Sequence, residues 1–143
     1  MSKSSLQQYR NIKAQSVVEG TSPHKLISML LDGLLGNLAA AKGGIERNEI
    51  SFKGEKLSRA IAIIDNLRAS LNLEQGGDVA ANLRDLYDYM EPRLLKANME
   101  NDVLIIDEVV GLVREIKQGW DAIPLDQQHP AGPAGSVDFG EAY

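Results

Sequence analysis

The chain has 143 residues, 43% of them hydrophobic and none of them cysteine, which suits one domain with a buried core and excludes disulfides, cysteine nucleophiles and thiolate metal sites. Its net charge is -5, but residues 1–120 carry 15 basic against 16 acidic side chains, and a chain without a basic stripe is not expected to bind nucleic acid. No apolar run approaches the roughly 18 residues that a membrane span needs, and the N-terminus lacks the layout of a secretory signal, so we expect a cytosolic protein without membrane insertion.

The first 21 residues are polar with scattered apolar side chains, among them Leu6, Tyr9 and Ile12. This pattern predicts an N-terminal arm over residues 1–21 that is at most partly helical. Its apolar side chains are either anchors that dock in a groove or parts of an unstructured arm, and composition does not separate the two. Ser22 then offers a helix cap, and Pro23 suits the first helical position.

A first helix is predicted from about residue 23 to residue 47, because apolar residues recur at spacings of three and four. Its seam consists of Ile27, Leu31, Leu34, Leu38, Ala41 and Ile45, and it is widened by Leu26, Leu30 and Leu35. A strip of small residues is formed by Gly33, Gly36, Ala40 and Gly43. Since each helical Gly costs about 1 kcal/mol relative to Ala, the strip indicates a close packing contact or a groove.

Two further helices follow. Ser51 is expected to cap a second helix that runs to about residue 73, where Gly76 and Gly77 are expected to end it. Asp78 is expected to cap a third, and Pro92 within it predicts a kink or a break, because proline has no amide proton for the carbonyl of residue 88. The seam of the second helix is Leu57, Ala60, Ile64, Leu67 and Leu71, and that of the third is Val79, Leu83, Leu86, Met90, Leu94 and Ala97.

A fourth helix is predicted to start at Asn101 or Asp102 and to run to about Trp120. One face carries Ile106, Val109, Val113, Ile116 and Trp120, and Leu104, Ile105 and Leu112 broaden the apolar surface. Four helices joined by short turns predict an all-α fold, an antiparallel four-helix bundle over residues 22–121. Residues 122–143 are acidic and contain three prolines and three glycines, so we expect a disordered tail.

The sequence offers little for catalysis. A di-iron bundle needs a Glu-x-x-His motif on each of two helices, and the chain has only His24, at a helix start, and His129, in the tail. We expect His24 to be a solvated first-turn residue rather than a phosphotransfer histidine. With no cysteine and no credible Ser–His–Asp set, we predict no catalytic residues, no metal site, no cofactor and no enzyme activity.

The surface of the third helix is more informative. Tyr87 and Tyr89 flank its seam, and Asn82 precedes Tyr89 by seven residues, so Asn82 and Tyr89 share one stripe beside Leu86. An aromatic ring with a polar tip suits the edge of a binding groove. The plainer alternative is that both tyrosines simply cover the rim of the core.

The chain carries a series of segments in a characteristic order. Tyr9 is followed by TSPHKLISMLLDG at 21–33, LNLEQGG at 71–77, VAANLRDLYDYM at 79–90, LLKAN at 94–98 and Trp120. This series resembles the flagellar secretion chaperone family, the dedicated export chaperones of flagellin, over about residues 9–120. Leu31 departs from the tyrosine that the family often has before Asp-Gly. Pro92 is a second departure, one that affects groove shape toward the end of the third helix.

The resemblance implies a bundle that binds the disordered C-terminal segment of flagellin, blocks its premature polymerisation and delivers it to the flagellar export apparatus. It also implies that the N-terminal arm lies over part of the binding surface and yields to the client. Tyr9 is the arm residue that matches the family, whereas the contact role of Asn82 and Tyr89 is inferred from face geometry. The predicted partner-binding residues are Leu6, Tyr9, Ile12, Leu26, Leu30, Asn82, Leu86 and Tyr89.

Three alternatives remain open from the sequence. The first is an adaptor or regulator of another flagellar client, such as an anti-sigma factor. The second is a structural subunit that self-assembles through the same apolar stripes. The third and least favoured is an enzyme. For the leading hypothesis we expect a monomer or a weak homodimer.

Overall fold

Four α-helices make up the part of the chain that the computed structural model describes, residues 22–124. They are α1 (Pro23–Glu46), α2 (Ile50–Ala69), α3 (Leu73–Glu100) and α4 (Val103–Asp121). Each helix packs against the next in chain order, and α4 packs against α1, so the contacts form a closed ring. Short turns and a ring of neighbours define an antiparallel four-helix bundle, which confirms the predicted fold class.

The core consists largely of the seams predicted from periodicity. Among its fully buried residues are Leu31, Leu34 and Leu38 of α1, Leu57 and Ile64 of α2, Met90 and Leu94 of α3, and Ile106, Val109 and Val113 of α4. One predicted core residue is wrong, because Val79 is 43% exposed and Ala80 is buried in its place. The cause lies two residues earlier, at Gly77, where the helical backbone is interrupted.

The helix starts agree with the capping residues in two cases of four. The Ser22 side chain accepts a hydrogen bond from the Lys25 amide with Pro23 at the first helical position, and Asp102 accepts from the Leu104 amide. The expected cap of α2 by Ser51 is wrong. Asn48 adopts a left-handed conformation (φ 57°). The turn after α1 is therefore short, and α2 begins at residue 50, before Ser51.

The predicted boundary between the second and third helices is also wrong. α2 ends at Ala69, and α3 begins at Leu73 with the Asn72 side chain accepting from the Gln75 amide at 3.0 Å. Gly77 lies inside α3 with φ 55° and ψ -134°. Glycine tolerates this conformation, as the sequence indicated, but it separates the first turn of α3 from the rest of the helix rather than ending α2.

Pro92 does not break α3. The helix runs to Glu100, and Gly77 is its only residue with non-helical backbone angles. Both Pro92 and Asp88 are exposed, so the carbonyl that loses its amide donor lies on the side where water can hydrate it.

The close packing contact that the small-residue strip on α1 predicted lies at the neighbouring Gly44, which the sequence analysis did not include. A β-carbon added at Gly44 would lie 3.2 Å from the Cα of Lys53 on α2, whereas one at Gly33 would meet only Ile63 Cδ1 at 3.6 Å. At Gly36 there is open space within 4 Å. Gly44 therefore lets the backbones of α1 and α2 approach each other.

The sequence analysis found no apolar run near the length of a membrane span, but α1 is long and apolar enough for one by length and composition. Nine of its residues are buried in the structure, most of them leucines and other apolar residues facing the core. A central helix of a globular bundle has the same length and composition, and its apolar face here packs against α2 and α4.

Candidate functional site

An apolar cavity of about 170 Å³ lies at the end of the bundle where α1 and α3 begin and α2 and α4 end. We call it the end cavity. Its apolar lining includes Ile27, Leu31, Leu67, Leu83, Tyr87 and Trp120. Ser70 and the exposed Glu115 also line it, so polar atoms lie toward its mouth. A concave apolar site with few polar groups is the usual form of a site for an apolar ligand or side chain.

One wall of the end cavity is fixed by reciprocal contacts between His24 and Trp120, which we call the clasp. The two rings are stacked with centroids 4.7 Å apart and planes 7° from parallel. The Trp120 indole donates to the His24 carbonyl at 2.8 Å, and His24 Nε2 donates to the Trp120 carbonyl at 2.7 Å. The expectation that His24 is solvated is wrong: it is 9% exposed, because the first turn of α1 faces the last turn of α4.

Polar contacts next to the clasp join the same two helix ends. Ser28 Oγ donates to Asp121 Oδ1 at 2.8 Å, and Lys117 Nζ donates to the other oxygen of that carboxylate. The hydrogen bond from Lys117 lowers the pKa of Asp121, and Lys117 also lies 3.4 Å from Asp32 Oδ1. These contacts hold the start of α1 against the end of α4, and so they hold the cavity wall in place.

The three predicted site residues on α3 share one edge of the helix by their spacing, and Tyr89 contacts α4 from it. Tyr89 is 44% exposed and donates from its hydroxyl to Glu108 Oε2 at 2.7 Å, while Arg93 Nε donates to Glu108 Oε1 at 3.0 Å. The hydrogen bond from Tyr89 is the main cause of the lowered pKa of Glu108. Asn82 is exposed and Leu86 is half-buried against the core. Together they form an amphipathic edge of α3, which Tyr89 and Arg93 join to α4 through Glu108. We call it the α3–α4 edge.

The two tyrosines of α3 have different environments. Tyr87 is 3% exposed and belongs to the core and to the lining of the end cavity. Its burial raises the pKa of its hydroxyl to about 12. The interpretation that both tyrosines cover the core rim therefore does not hold: Tyr87 is inside the core, and Tyr89 is exposed and hydrogen-bonded to Glu108 of α4.

The predicted site residues on α1 are covered in this structure. Leu26 is 2% exposed and Leu30 is 7% exposed. Leu30 belongs to the core cluster, but Leu26 is buried without joining it. The backbones of α1 and α3 do not approach closely, although residues next to both sets, Ile27 and Leu83 among them, line the end cavity. The arm residues Leu6, Tyr9 and Ile12 lie outside the described residues.

The opposite end of the bundle is closed by a buried lysine that the sequence analysis missed. Lys53 is 7% exposed and donates from Nζ to the Asn98 carbonyl at 2.6 Å and to the Asn101 side chain. Asn101 ends α3 in a left-handed conformation, so the ammonium group satisfies acceptors at that helix end and complements the helix dipole. The signal that could have found it is its position four residues before Leu57, on the seam of α2.

Arg68 forms the main ionic contact between α2 and α3. Its guanidinium lies 2.5 Å from Asp65, 2.9 Å from Asp88 and 2.6 Å from Glu91. Partial burial is the main reason that the pKa of Glu91 is raised. Within residues 22–124, no group of three or more His, Asp or Glu side chains is arranged to hold a metal ion.

Comparison with known proteins shows the family of the chain. The family model described as flagellar protein FliS matches residues 5–127. The flagellar secretion chaperone FliS of Salmonella typhimurium is 46% identical over 121 residues, covering 84% of this chain and 90% of that protein. FliSB of Pseudomonas aeruginosa is 44% identical over 118 residues (82% and 94%), and FliS of Vibrio cholerae is 42% identical over 120 residues (84% and 88%). The chain therefore belongs to the FliS family of flagellar secretion chaperones.

Proposed function

We propose that this protein acts in the cytosol as a non-enzymatic export chaperone that binds the disordered C-terminal segment of flagellin. It keeps that segment from polymerising prematurely and aids its delivery to the flagellar type III export apparatus. Family membership supports the chaperone role. The proposal that the client binds as a helix on the surface rests on one observation: the exposed, amphipathic α3–α4 edge runs beside an apolar cavity.

A disordered client that folds as it binds loses conformational entropy, so it needs a long apolar contact with a few polar fixing points. The α3–α4 edge has this character. Leu86 offers apolar surface, Asn82 offers an exposed amide, and the Tyr89 ring stands 44% exposed with its hydroxyl held by Glu108. A client helix lying along this edge would follow the helix-in-groove mode, with one apolar side chain reaching the end cavity.

Leu26 and Leu30 enter the proposal differently, because both are buried. The client reaches them only after whatever covers them is displaced. We assign this cover to the N-terminal arm through Leu6, Tyr9 and Ile12, since the arm joins the bundle directly before Pro23.

Calorimetric titration with a peptide covering the C-terminal segment of flagellin from the same bacterium tests the proposal. We expect near-stoichiometric binding with a large negative heat-capacity change, because apolar surface is buried as the peptide folds. Tyr89→Ala should weaken binding roughly tenfold, as expected for an aromatic contact at the centre of an interface. Ile50→Ala is the matched control, since it removes a side chain that is 73% exposed at the other end of the bundle, and it should leave the affinity unchanged.

Deletion of residues 1–16 tests the arm. If the arm competes with the client, helical content stays intact and client affinity rises, whereas weakened binding would make the arm part of the client site. A folded protein that does not bind the flagellin peptide would overturn flagellin as the client. Parallel titration with the anti-sigma factor, and a size that increases with concentration, identify the two alternative functions.

A further inference from the structure

The end cavity has room for a single aromatic ring. Its volume is about 170 Å³, and an engineered apolar cavity of about 150 Å³ in another protein binds benzene. Leu83 and Ile116 are only partly buried there, so the cavity is reachable from the surface. Because nearly all of the lining is apolar, the ligand chemistry that suits it is an uncharged ring without a hydroxyl group.

The C-terminal tail departs from the bundle beside this cavity. Trp120, in the last turn of α4, lines the cavity, and Ile123 packs against the core just after the helix ends. Pro124 is the last described residue. Residues 125–143 therefore begin at the same end of the bundle as the cavity, and not at the end closed by Lys53.

The tail is unusual in composition for this chain. The protein has two Phe, one Trp and four Tyr, and two of these seven aromatic residues, Phe139 and Tyr143, lie within five positions of each other. The family match ends at residue 127. These two aromatic residues are thus outside the segment that the chain shares with the FliS family model.

We propose that Phe139 docks in the end cavity of its own chain, so that the tail competes with an apolar side chain of the client. Phe139 lies fifteen positions after Pro124. A flexible tether of that length has a root-mean-square span of about 20 Å, comparable to the width of a bundle whose helix axes are about 8–10 Å apart. Phe139 suits the lining better than Tyr143, whose hydroxyl would need a hydrogen-bond partner when buried.

The charges near the cavity mouth indicate that this docking is apolar rather than ionic. Glu115 lines the mouth, and the tail carries Asp138 and Glu141 next to its aromatic residues. These like charges repel weakly, and salt screens the repulsion over about 8 Å at physiological ionic strength. Added salt should therefore leave the docked state intact or strengthen it.

The consequence for client binding rests on the proposed function, whereas the docking itself does not. A short tether gives an effective concentration of about 1 mM. A ring that docks with a dissociation constant of about 0.3 mM would then fill the cavity roughly three-quarters of the time. Removing that ring should raise client affinity about fourfold, because the binding-competent fraction rises accordingly.

The only tryptophan of the chain, Trp120, reports on the cavity directly, because it lines the wall. The experiment measures acrylamide quenching of its fluorescence in the full chain, in Phe139→Ser and in Tyr143→Ser, with circular dichroism to show that all three are folded. We expect the quenching constant to rise at least twofold in Phe139→Ser and to stay at the wild-type value in Tyr143→Ser. High salt should not raise it in the wild-type protein.

Equal quenching in the wild-type chain and in Phe139→Ser would overturn the proposal. So would an increase of the same size in Tyr143→Ser, or an increase on deletion of residues 1–16 in the absence of any effect of Phe139→Ser, which would assign the cavity to the arm. The measurement needs no client, so a failure of flagellin binding leaves its result unaffected. With the client present, a fourfold gain in affinity for Phe139→Ser supports competition, and an unchanged affinity overturns that part.

Discussion

Replacing Gly44 with alanine should destabilise the bundle, because this glycine lies where α1 meets the backbone of α2. The added β-carbon would lie 3.0 Å from Phe52 Cδ2, 3.1 Å from Lys53 Cβ and 3.2 Å from Lys53 Cα. Carbon atoms at optimal separation lie about 3.5–4.0 Å apart. The Phe52 ring can move aside, but the Lys53 backbone is part of α2 and its side chain is bound at the end of α3. The two helices must therefore separate by a few tenths of an ångström.

The magnitude follows from two opposing effects. Alanine is favoured over glycine inside a helix by about 0.5–1 kcal/mol, and by less for Gly44, which lies in the last turn of α1. Overpacking of a close contact costs about 1–3 kcal/mol. We expect a net loss of about 1 kcal/mol for Gly44→Ala. Gly36→Ala on the same helix meets no atom within 4 Å, so it should stabilise the protein by about 0.5–1 kcal/mol.

Urea unfolding followed by circular dichroism measures both variants in one assay. A shift in midpoint with an unchanged slope reports a change in stability alone. For a bundle of this size, 1 kcal/mol corresponds to a shift of about 4–8 °C in Tm. If Gly44→Ala proves as stable as Gly36→Ala, the helix-propensity effect dominates and the close approach of α1 and α2 contributes nothing measurable.

Three further variants, at His24 and Tyr87, examine groups at the end cavity. His24→Phe keeps a ring stacked on Trp120 but removes the hydrogen bond from Nε2, so it should lower the free energy of unfolding by about 1–3 kcal/mol. His24→Ala should lower it by about 1 kcal/mol more, because the stack is also lost. Equal urea midpoints for the wild type and both variants would contradict the clasp. The pKa of Tyr87 is raised to about 12 by burial, so its contribution to stability is complete below about pH 10 and is lost as the pH rises through 12. At pH 11.5 this loss should reach about 2 kcal/mol in the wild-type chain and be absent in Tyr87→Phe; parallel alkaline losses in the two proteins would rule it out.

The core was predictable because helical periodicity is a local property. Positions three and four apart share a face in any α-helix, so the seam of α1 could be written down before its partners were known. The N-caps at Ser22 and Asp102 were equally local, since a side-chain oxygen only needs amides two or three residues further along. Residues of this kind are recoverable from sequence whatever the rest of the fold does.

Gly77 shows where local reasoning stops. A glycine pair indicates a left-handed residue, and the structure has one with φ 55°. Sequence alone could not say whether that residue ends a helix or interrupts one. Asn72, five residues earlier, is the residue that caps α3 in the structure, so the helix starts before Gly77 and Val79 is exposed.

The site residues depend on contacts that periodicity cannot indicate. His24 and Trp120 are 96 positions apart, and only the closure of the helix ring brings them together. Lys53 reaches the end of α3 across 45 positions. Each is a polar or aromatic residue whose partner belongs to another helix, so its role follows from how the helices are arranged and not from its own segment.

The two ends of the bundle differ in how tightly they are packed. At one end, Gly44 allows close backbone packing and Lys53 satisfies the end of α3. At the other, a cavity of about 170 Å³ remains, and at about 24 cal/mol per Å³ an empty space of that size costs at most about 4 kcal/mol. Filling it with an apolar side chain recovers part of that free energy. Under the proposed function this free energy favours client binding, and the proposed docking of Phe139 reduces that gain by occupying the cavity first.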